Sequence, residues 1–175
     1  MPDTWISDEM RALIGQEFGD GMTSVPISLS DVRKWALAIY YPQDPPRLFW
    51  DEAYAATTSH GGIVAPEDFN PFAWFNADGP RMRPTFEGPV TGTGPEEACG
   101  VAPPGTTFVL NGGMRVEYGV RMRPGDVIIE SRSKVINYDE RESRLGLMLM
   151  TTTGMTWTNH RGEMVKDISW TLIRY

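Results

Sequence analysis

Two histidines, His60 and His160, are the side chains of this sequence that exchange protons near neutral pH. His160 falls in Asn159–Gly162, a segment typical of a hairpin turn, so we expect a solvated structural role for it. His60 directly precedes the glycine pair Gly61–Gly62. General acid–base catalysis needs a proton acceptor within reach of the substrate, which makes His60 the candidate base. A structural or capping role for His60 is the alternative.

Composition and charge limit the kinds of partner. The single Cys99 has no nearby histidine and is expected to be a free loop cysteine, and no Cys/His cluster predicts a metal site. A net charge of −7 without a basic run argues against nucleic acid. No apolar run approaches the roughly 20 residues of a membrane span, and the acidic N-terminus lacks signal-peptide features. A cytoplasmic protein is therefore expected.

Three helices are predicted before residue 57. The first covers Ser7 to Ile14, with Ser7 as its N-cap and Gly15 as its stop. A second begins at Ser30 and shows helical spacing of its apolar residues Val32, Trp35, Ala36 and Ile39. A short third helix is predicted over Asp51 to Ala56.

A further helix is predicted to begin at Pro66, because proline suits the first turn and Glu67 and Asp68 suit its positive end. Its body has almost no polar surface, so it should be buried and wrapped by other structure; its apolar residues are Phe69, Phe72, Ala73, Trp74 and Phe75. A long loop rich in glycine and proline follows, over residues 77–106.

The rest of the chain is strand-like. Residues 127–135 alternate, which predicts one strand that buries Val127, Ile129, Ser131, Ser133 and Val135. Extended structure is also predicted for Leu147 to Trp157 and Ile168 to Tyr175, with a bulge or turn at Asn111–Gly113. A buried helix followed by antiparallel strands predicts an α+β protein, and residues 1–175 are expected to form a single domain.

The segment Asp44-Pro45-Pro46-Arg47-Leu48-Phe49-Trp50-Asp51 resembles the D-x-N-P-x-H-x-D segment of MaoC-like (R)-specific enoyl-CoA hydratases. Arg123–Asp126 resembles the family's turn into a sheet strand. Thr158–Glu163 resembles the T-N-x-x-G-E hairpin of the N-terminal-half type, the FAS1-like dehydratase domain, and Gly61–Pro66 also matches that type. The resemblance covers most of the chain. It implies the hot dog fold, in which a long antiparallel sheet wraps around one central helix.

The resemblance also implies a chemistry. In the family an Asp/His pair activates water for addition to an enoyl thioester, or removes it in reverse. A backbone N–H at the start of the central helix polarises the thioester carbonyl, where fixed donors stabilise developing negative charge. Asp44 matches the family's aspartate, and Phe49 stands where the family has its histidine. Because Pro66 has no N–H, Glu67 or Asp68 would donate.

Phe49 cannot act as a base, which leaves three interpretations. The leading one is a hydratase or dehydratase component that acts with a catalytic partner chain. The second is a self-sufficient homo-oligomeric lyase or isomerase that uses Asp44 with His60 or Glu67. The third is a non-catalytic scaffold subunit that binds acyl thioesters. All three predict a homo- or hetero-dimer, or a larger oligomer, with a hot dog chain. No separate cofactor is expected, since the substrate carries CoA or acyl-carrier phosphopantetheine.

The candidate substrate-binding residues lie around the Asp44 segment and the predicted start of the central helix. They are Phe49, Trp50, Gly62, Ile63, Val64, Glu67, Asp68, Phe69 and Phe72. For the aromatic members, packing in the core is the alternative. Four arginines are candidates for the phosphates of CoA or a carrier, with a solvated surface role as the alternative: Arg81, Arg83, Arg121 and Arg123.

Overall fold

A computed structural model describes residues 3–73, 75–80, 94–144 and 146–175. Trp74, Arg81 and Arg83, named above, lie outside these ranges, as does much of the predicted 77–106 loop. The helices are α1 Asp8–Ala12, α2 Leu29–Tyr40, α3 Glu52–Ala56 and α4 Pro95–Ala98, with a 3₁₀ turn at Arg47–Phe49. The strands are β1 Glu17–Phe18, β2 Met22–Thr23, β3 Phe75–Asn76, β4 Gly79–Pro80, β5 Val109–Tyr118, β6 Ile128–Glu130, β7 Ser133–Ser143, β8 Gly146–Asn159 and β9 Met164–Arg174.

The main sheet is antiparallel throughout the described chain. β8 lies in its middle and pairs with β9 on one side, and β9 pairs in turn with β5. On the other side β8 pairs with β7 and then β6, which pair with β1 and β2. The register between β5 and β9 shifts at Asn111/Gly113, as the glycine pair predicted. β9 is the only strand paired with β5 among those described, so β5 forms an edge.

The local signals for the short helices are confirmed. Ser7 caps α1 by accepting the Met10 N–H, and Asp51 caps α3 by accepting the Tyr54 N–H at 3.0 Å. For α2 the predicted cap is wrong by one serine. Ser28 accepts the Asp31 N–H at 3.0 Å, and Ser30 lies inside the first turn.

The helix predicted from Pro66 is wrong, because the described residues there form consecutive turns. Asn70-Pro71 explains the difference. The Asn70 side chain accepts the Phe72 N–H at 2.9 Å, which competes with a helical bond. Pro71 has no N–H and would clash with the carbonyl four residues earlier in a helix. The segment is nevertheless buried as predicted, with Phe69 and Phe72 at 4% and 1% exposure.

This segment, residues 63–72, lies between α2 and the sheet, and it is largely buried except at Glu67 and Asp68. On the sheet side the Phe72 ring meets Trp157 edge-on, with 5.1 Å between ring centroids. On the helix side Phe69 meets Trp35 at 5.5 Å. Val32 of α2 is fully buried in the same core cluster. The core therefore has three layers, which are helix, turn segment and sheet.

The strand predicted over residues 127–135 is interrupted, and its first part faces the other way. β6 ends at Glu130, and β7 begins at Ser133. Glu130 is buried and its carboxylate accepts the Trp157 indole N–H at 2.8 Å, whereas Ile129 is 44% exposed. Glu130 occupies the inner face of the sheet, where the Trp157 indole donates a hydrogen bond to its carboxylate. The alternation of apolar residues therefore predicted the wrong buried face for this part of the strand.

A buried ion pair fixes α4 to the sheet. Glu96 is fully buried, and its two carboxylate oxygens accept from the Arg174 guanidinium at 2.7 and 3.0 Å. Arg174 also donates to the Thr151 hydroxyl at 2.5 Å. Burial acts to raise the pKa of Glu96, but the bonds to Arg174 and its charge outweigh burial and hold that pKa below its usual value. The carboxylate is therefore ionised in the folded protein at neutral pH.

Replacing Arg174 by Met should lower the free energy of unfolding by about 3–5 kcal/mol, because Glu96 would remain buried without a counter-charge. Adding Glu96→Leu to that variant should restore most of the loss. Urea unfolding at pH 7 measures both effects. The loss should shrink as the pH falls, since a carboxyl with a lowered folded pKa stabilises the fold only while ionised.

Arg141→Met is the matched control, because Arg141 is exposed and lies 3.8 Å from Asp139 in a surface pair. It should leave the unfolding midpoint nearly unchanged. Equal losses for Arg141→Met and Arg174→Met would contradict the role given to the buried pair.

Candidate functional site

The Asp44 segment forms one wall of a groove beside α2. Asp44 is exposed at a cavity of about 820 Å³ whose lining residues are Arg33, Leu37, Asp44, Pro45, Trp50, Asp51 and Glu52. Local bonds hold this wall in shape. The Trp50 indole donates to the Pro45 carbonyl at 3.0 Å, and Arg47 pairs with Asp51 at 2.7 Å. The groove thus combines apolar walls with three carboxylates, those of Asp44, Asp51 and Glu52, and with the Arg33 guanidinium.

Phe49 faces away from this groove, into the core. It is 6% exposed and belongs to a core cluster with Ala36 and Val64. Its ring lies 5.9 Å from that of Tyr40. Phe49 and Val64, both predicted to bind substrate, therefore pack α2 against the turn segment.

The groove continues toward Gly62 through a second cavity of about 410 Å³. Glu52 lines both cavities, and Gly62 and Ile63 line the second together with Leu29, Arg123 and Pro124. Arg123 donates to the His60 carbonyl at 2.7 Å and so fixes the turn before Gly62. The structure thus brings Asp44, Trp50, Gly62 and Ile63 to one continuous surface.

His60 contributes its backbone to this region. Its N–H donates to the Thr58 hydroxyl at 3.2 Å, and its carbonyl accepts from Arg123. The half-buried His60 lines neither cavity of the groove. The structure therefore does not bring His60 and Asp44 to the same cavity.

The acidic pair after Pro66 lies outside the groove. Glu67 pairs with Arg121 at 2.9 Å, and Arg121 also donates to the Ala65 carbonyl at 2.8 Å. The backbone at Glu67 and Asp68 is a turn, so their amides lack the helix dipole expected at a helix start. Arg121 is engaged by the protein itself.

A buried lysine, absent from the predicted site, lies beneath this turn. Lys166 is 6% exposed and donates to the Phe69 carbonyl at 3.3 Å, with its ammonium 4.7 Å from the centre of the Trp157 ring. Burial lowers its pKa to about 8, although the charges of Asp68 and Glu67 act in the opposite direction. Strand alternation could not predict that Lys166 is buried, because Val165 and Lys166 are both buried beside a register shift that breaks the alternation.

The two motif turns interlock around Asp126, which is 3% exposed. Asp126 accepts the Arg123 N–H at 2.8 Å and pairs with Arg161 at 2.9 Å. His160, in the hairpin turn, lies 3.8 Å from the same carboxylate and is half exposed. His160 therefore forms part of the hydrogen-bonded and charged contacts that join these two turns.

The described residues contain no group of three or more His, Cys, Asp or Glu positioned to hold a metal ion. No helix in the same residues is both long enough and apolar enough to cross a membrane.

Comparison with known protein families identifies the family to which this chain belongs. The model of the FAS1-like, dehydratase domain region matches residues 12–168. The chain belongs to the FAS1-like dehydratase family. A "Probable enoyl-CoA hydratase alpha subunit" from Thermomonospora curvata is 25% identical to this FAS1-like dehydratase domain over an alignment of 175 positions that covers 95% of the chain. The match covers 50% of that relative, so the chain spans about half its length.

Solved structures similar to this FAS1-like dehydratase domain share its fold. The ChsH1-ChsH2 complex from Mycobacterium tuberculosis matches with a TM-score of 0.63 and 16% identity, over 90% of this chain and 83% of that one. The HadBC (3R-hydroxyacyl-ACP dehydratase) complex from the same organism gives 0.55 and 18%, over 92% and 96%. The R-hydratase PhaJ1 from Pseudomonas aeruginosa gives 0.52 and 16%, over 92% and 81%. The hot dog fold and the MaoC-like resemblance are confirmed.

Lys166→Met should change how the free energy of unfolding depends on pH. Below about pH 8 the buried ammonium is charged, which costs stability relative to the solvated unfolded chain. As the pH rises from about 8 toward 10.5, the folded protein loses this proton first, so wild type should gain about 2 to 3 kcal/mol relative to the variant. Urea unfolding at pH 7 and pH 10 measures this difference.

The exposed Lys34 of α2 supplies the control, since Lys34→Met should follow the wild-type pH dependence. If Lys166→Met also runs parallel to wild type, the lysine does not carry a lowered pKa in the folded state.

Proposed function

We propose that this chain is a component of an acyl-thioester hydratase or dehydratase, a lyase of the (R)-specific enoyl-CoA hydratase kind, whose catalytic base comes from a partner hot dog chain. The position of Phe49 carries the proposal. It occupies the family's histidine position and is buried against Ala36 and Val64, so the Asp44 segment presents a carboxylate without an imidazole. The base is therefore supplied from outside this segment.

The groove suits one end of an acyl thioester. Leu37, Pro45 and Trp50 supply apolar walls for an acyl chain, and Asp44 supplies a polar contact. Arg123 lies at the other end, beside Gly62 and Ile63. A guanidinium has five N–H donors, so Arg123 can hold the His60 carbonyl and still bind a phosphate of CoA or of a carrier.

In this proposal the partner chain binds along the β5 edge. β5 is paired on one side within the described sheet. Its exposed residues include both apolar side chains, with Val109, Leu110 and Met114 between 51% and 69% exposed, and an ion pair between Arg115 and Glu117. An edge strand of ten residues with exposed apolar side chains favours pairing with another strand. Two of the similar structures are complexes of two named chains, and the relative is named an alpha subunit, which supports a second hot dog chain as the partner.

The self-sufficient alternative gains no support from the placement of its bases. His60 lines neither cavity of the groove, and Glu67 pairs with Arg121. Neither residue lines the cavity that Asp44 lines. The scaffold alternative differs from the proposal in one respect, which is whether groove residues influence turnover.

A hydration assay on crotonyl-CoA tests the division of labour. The purified chain alone should leave the absorbance of the conjugated thioester unchanged, and the complex isolated with its partner from the source organism should consume it. In that complex Trp50→Ala should raise KM about tenfold, because it removes an apolar wall worth somewhat more than 1 kcal/mol.

Asp20→Asn, in an exposed loop outside the groove, is the control and should not alter either parameter. Turnover by the chain alone that Asp44→Asn abolishes would establish the self-sufficient enzyme. Unchanged KM and kcat in both the Trp50→Ala and Asp44→Asn complexes would establish the scaffold.

The assembly surface has its own test. The double substitution Leu110→Lys, Met114→Lys should dissociate the complex, because two buried ammonium groups would replace apolar contacts across the β5 edge. Sedimentation velocity measures the mass. Ile129→Lys is the control, since Ile129 is 44% exposed but its strand has neighbours on both sides. A complex of unchanged mass in the double variant would rule out β5 as the interface.

A further inference from the structure

The carboxylates that line the larger cavity of the groove differ in whether a cation neutralises them. Asp51 pairs with Arg47 at 2.7 Å, and Glu52 pairs with Arg33 at 3.0 Å. Asp44 lines the same cavity and is exposed. Among the residues that the structure describes, its side chain makes neither a hydrogen bond nor an ion pair. Asp44 is therefore the carboxylate left for a bound molecule to meet.

The Arg33 guanidinium is bonded to the protein on the opposite side of its own helix contact. Its Nε and Nη2 atoms donate to the Trp50 carbonyl at 3.2 and 2.9 Å, and Nη2 also donates to Glu52 at 3.0 Å. The positive charge of Arg33 is thus offset by Glu52, as that of Arg47 is offset by Asp51. One negative charge without a paired cation, that of Asp44, remains at this cavity.

Apolar surface borders the Asp44 charge. Leu37 and Trp50, which line the same cavity, are 60% and 42% exposed, and Pro45 completes the wall. A charge in a cleft with low-dielectric walls is screened less than a charge on an open surface. The charge of a molecule bound between these walls should therefore affect its affinity strongly.

The other end of the groove has the opposite polarity. Arg123 lines the smaller cavity beside Gly62 and Ile63. In the proposed function this end takes a phosphate of CoA or of a carrier, and the acyl chain extends toward Leu37 and Trp50. The acyl group, and not the phosphates, would then lie beside Asp44.

We infer that Asp44 makes the groove select uncharged acyl groups and reject acyl groups that end in a carboxylate. The inference rests on the proposed function for the placement of the acyl chain, and it specifies the class of substrate. A terminal carboxylate would lose water against Leu37 and Trp50 and would meet Asp44 without an intervening cation. A hydrocarbon end meets only the apolar walls.

Hexanoyl-CoA and adipoyl-CoA provide a matched pair of probes. Their acyl groups have equal numbers of carbon atoms, and only adipoyl-CoA carries a terminal carboxylate. Neither has the conjugated double bond, so hydration cannot consume them during a titration. Isothermal titration calorimetry should be carried out on the protein as isolated, together with any chain that accompanies it. Hexanoyl-CoA should bind about tenfold more tightly than adipoyl-CoA.

Three variants test whether the charge of Asp44 causes this preference. Asp44→Asn keeps the size of the side chain and removes its charge, so the ratio of the two affinities should fall to near unity. Leu37→Lys and Leu37→Glu remove the same apolar wall but add opposite charges. Leu37→Lys should decrease the preference for hexanoyl-CoA, and Leu37→Glu should increase it.

Two variants away from the groove serve as controls. Asp20→Asn makes the same change as Asp44→Asn in an exposed loop, and Ile39→Lys adds a positive charge to α2 at a position that does not line the groove. Both should keep the wild-type ratio of affinities. All four substituted positions are exposed, so the variants should fold, and circular dichroism verifies this.

Equal affinities of the wild-type protein for hexanoyl-CoA and adipoyl-CoA would overturn the inference. A preference that Asp44→Asn leaves unchanged would also overturn it, because another group would then discriminate. Failure of hexanoyl-CoA to bind would overturn it as well, since the groove would not accept an acyl group. The crotonyl-CoA assay tests the proposed function separately, so turnover there together with equal affinities here would contradict the selectivity alone.

Discussion

The burial of residues 63–72 between α2 and the sheet is the constraint on which the rest of the structure depends. Phe72 anchors the segment to Trp157, and the Ala65 N–H donates to the Met122 carbonyl at 2.8 Å. On the opposite side the segment packs against α2 through Phe69 and Val64. The two cavities of the groove and the cavity of about 700 Å³ all border α2, so their shapes depend on how this segment packs. A turn segment performs the task that a helix was expected to perform, because close packing requires apolar surface and not a particular backbone conformation.

The buried polar groups of this protein serve its architecture. Glu96 and Arg174 neutralise each other, and Glu130 satisfies the Trp157 indole. Lys166 has one long bond and an aromatic ring in place of a counter-ion. Each is bonded to a neighbour in the fold, whereas Asp44 is exposed in the groove. This contrast separates the polar groups that hold the chain together from a carboxylate that lines an open cavity.

Much of the fold could be predicted because its signals are local. The caps at Ser7 and Asp51 and the bulge beside Gly113 depend on a few consecutive residues. The failures involve competition or distant partners. Asn70-Pro71 opposed the helix that the neighbouring apolar residues favoured. Glu130 faces inward because Trp157, on another strand, donates its indole N–H to the Glu130 carboxylate. In the candidate site, the sequence alone shows that Phe49 stands where the resembled family has histidine. The burial of Phe49, and the cavity of about 700 Å³ beside α2, depend on three-dimensional neighbours that no spacing in the chain encodes.

Most positions of α2 border either a cavity or the core. One side borders the groove, another borders a cavity of about 700 Å³, and Val32 and Ala36 enter the core. Surface helices normally have a solvent-exposed face on which substitutions have little effect on stability. Few positions of α2 offer that freedom. Among homologous chains, we therefore expect substitutions in this helix to accompany changes in the shape of these cavities, and neutral variation to accumulate elsewhere.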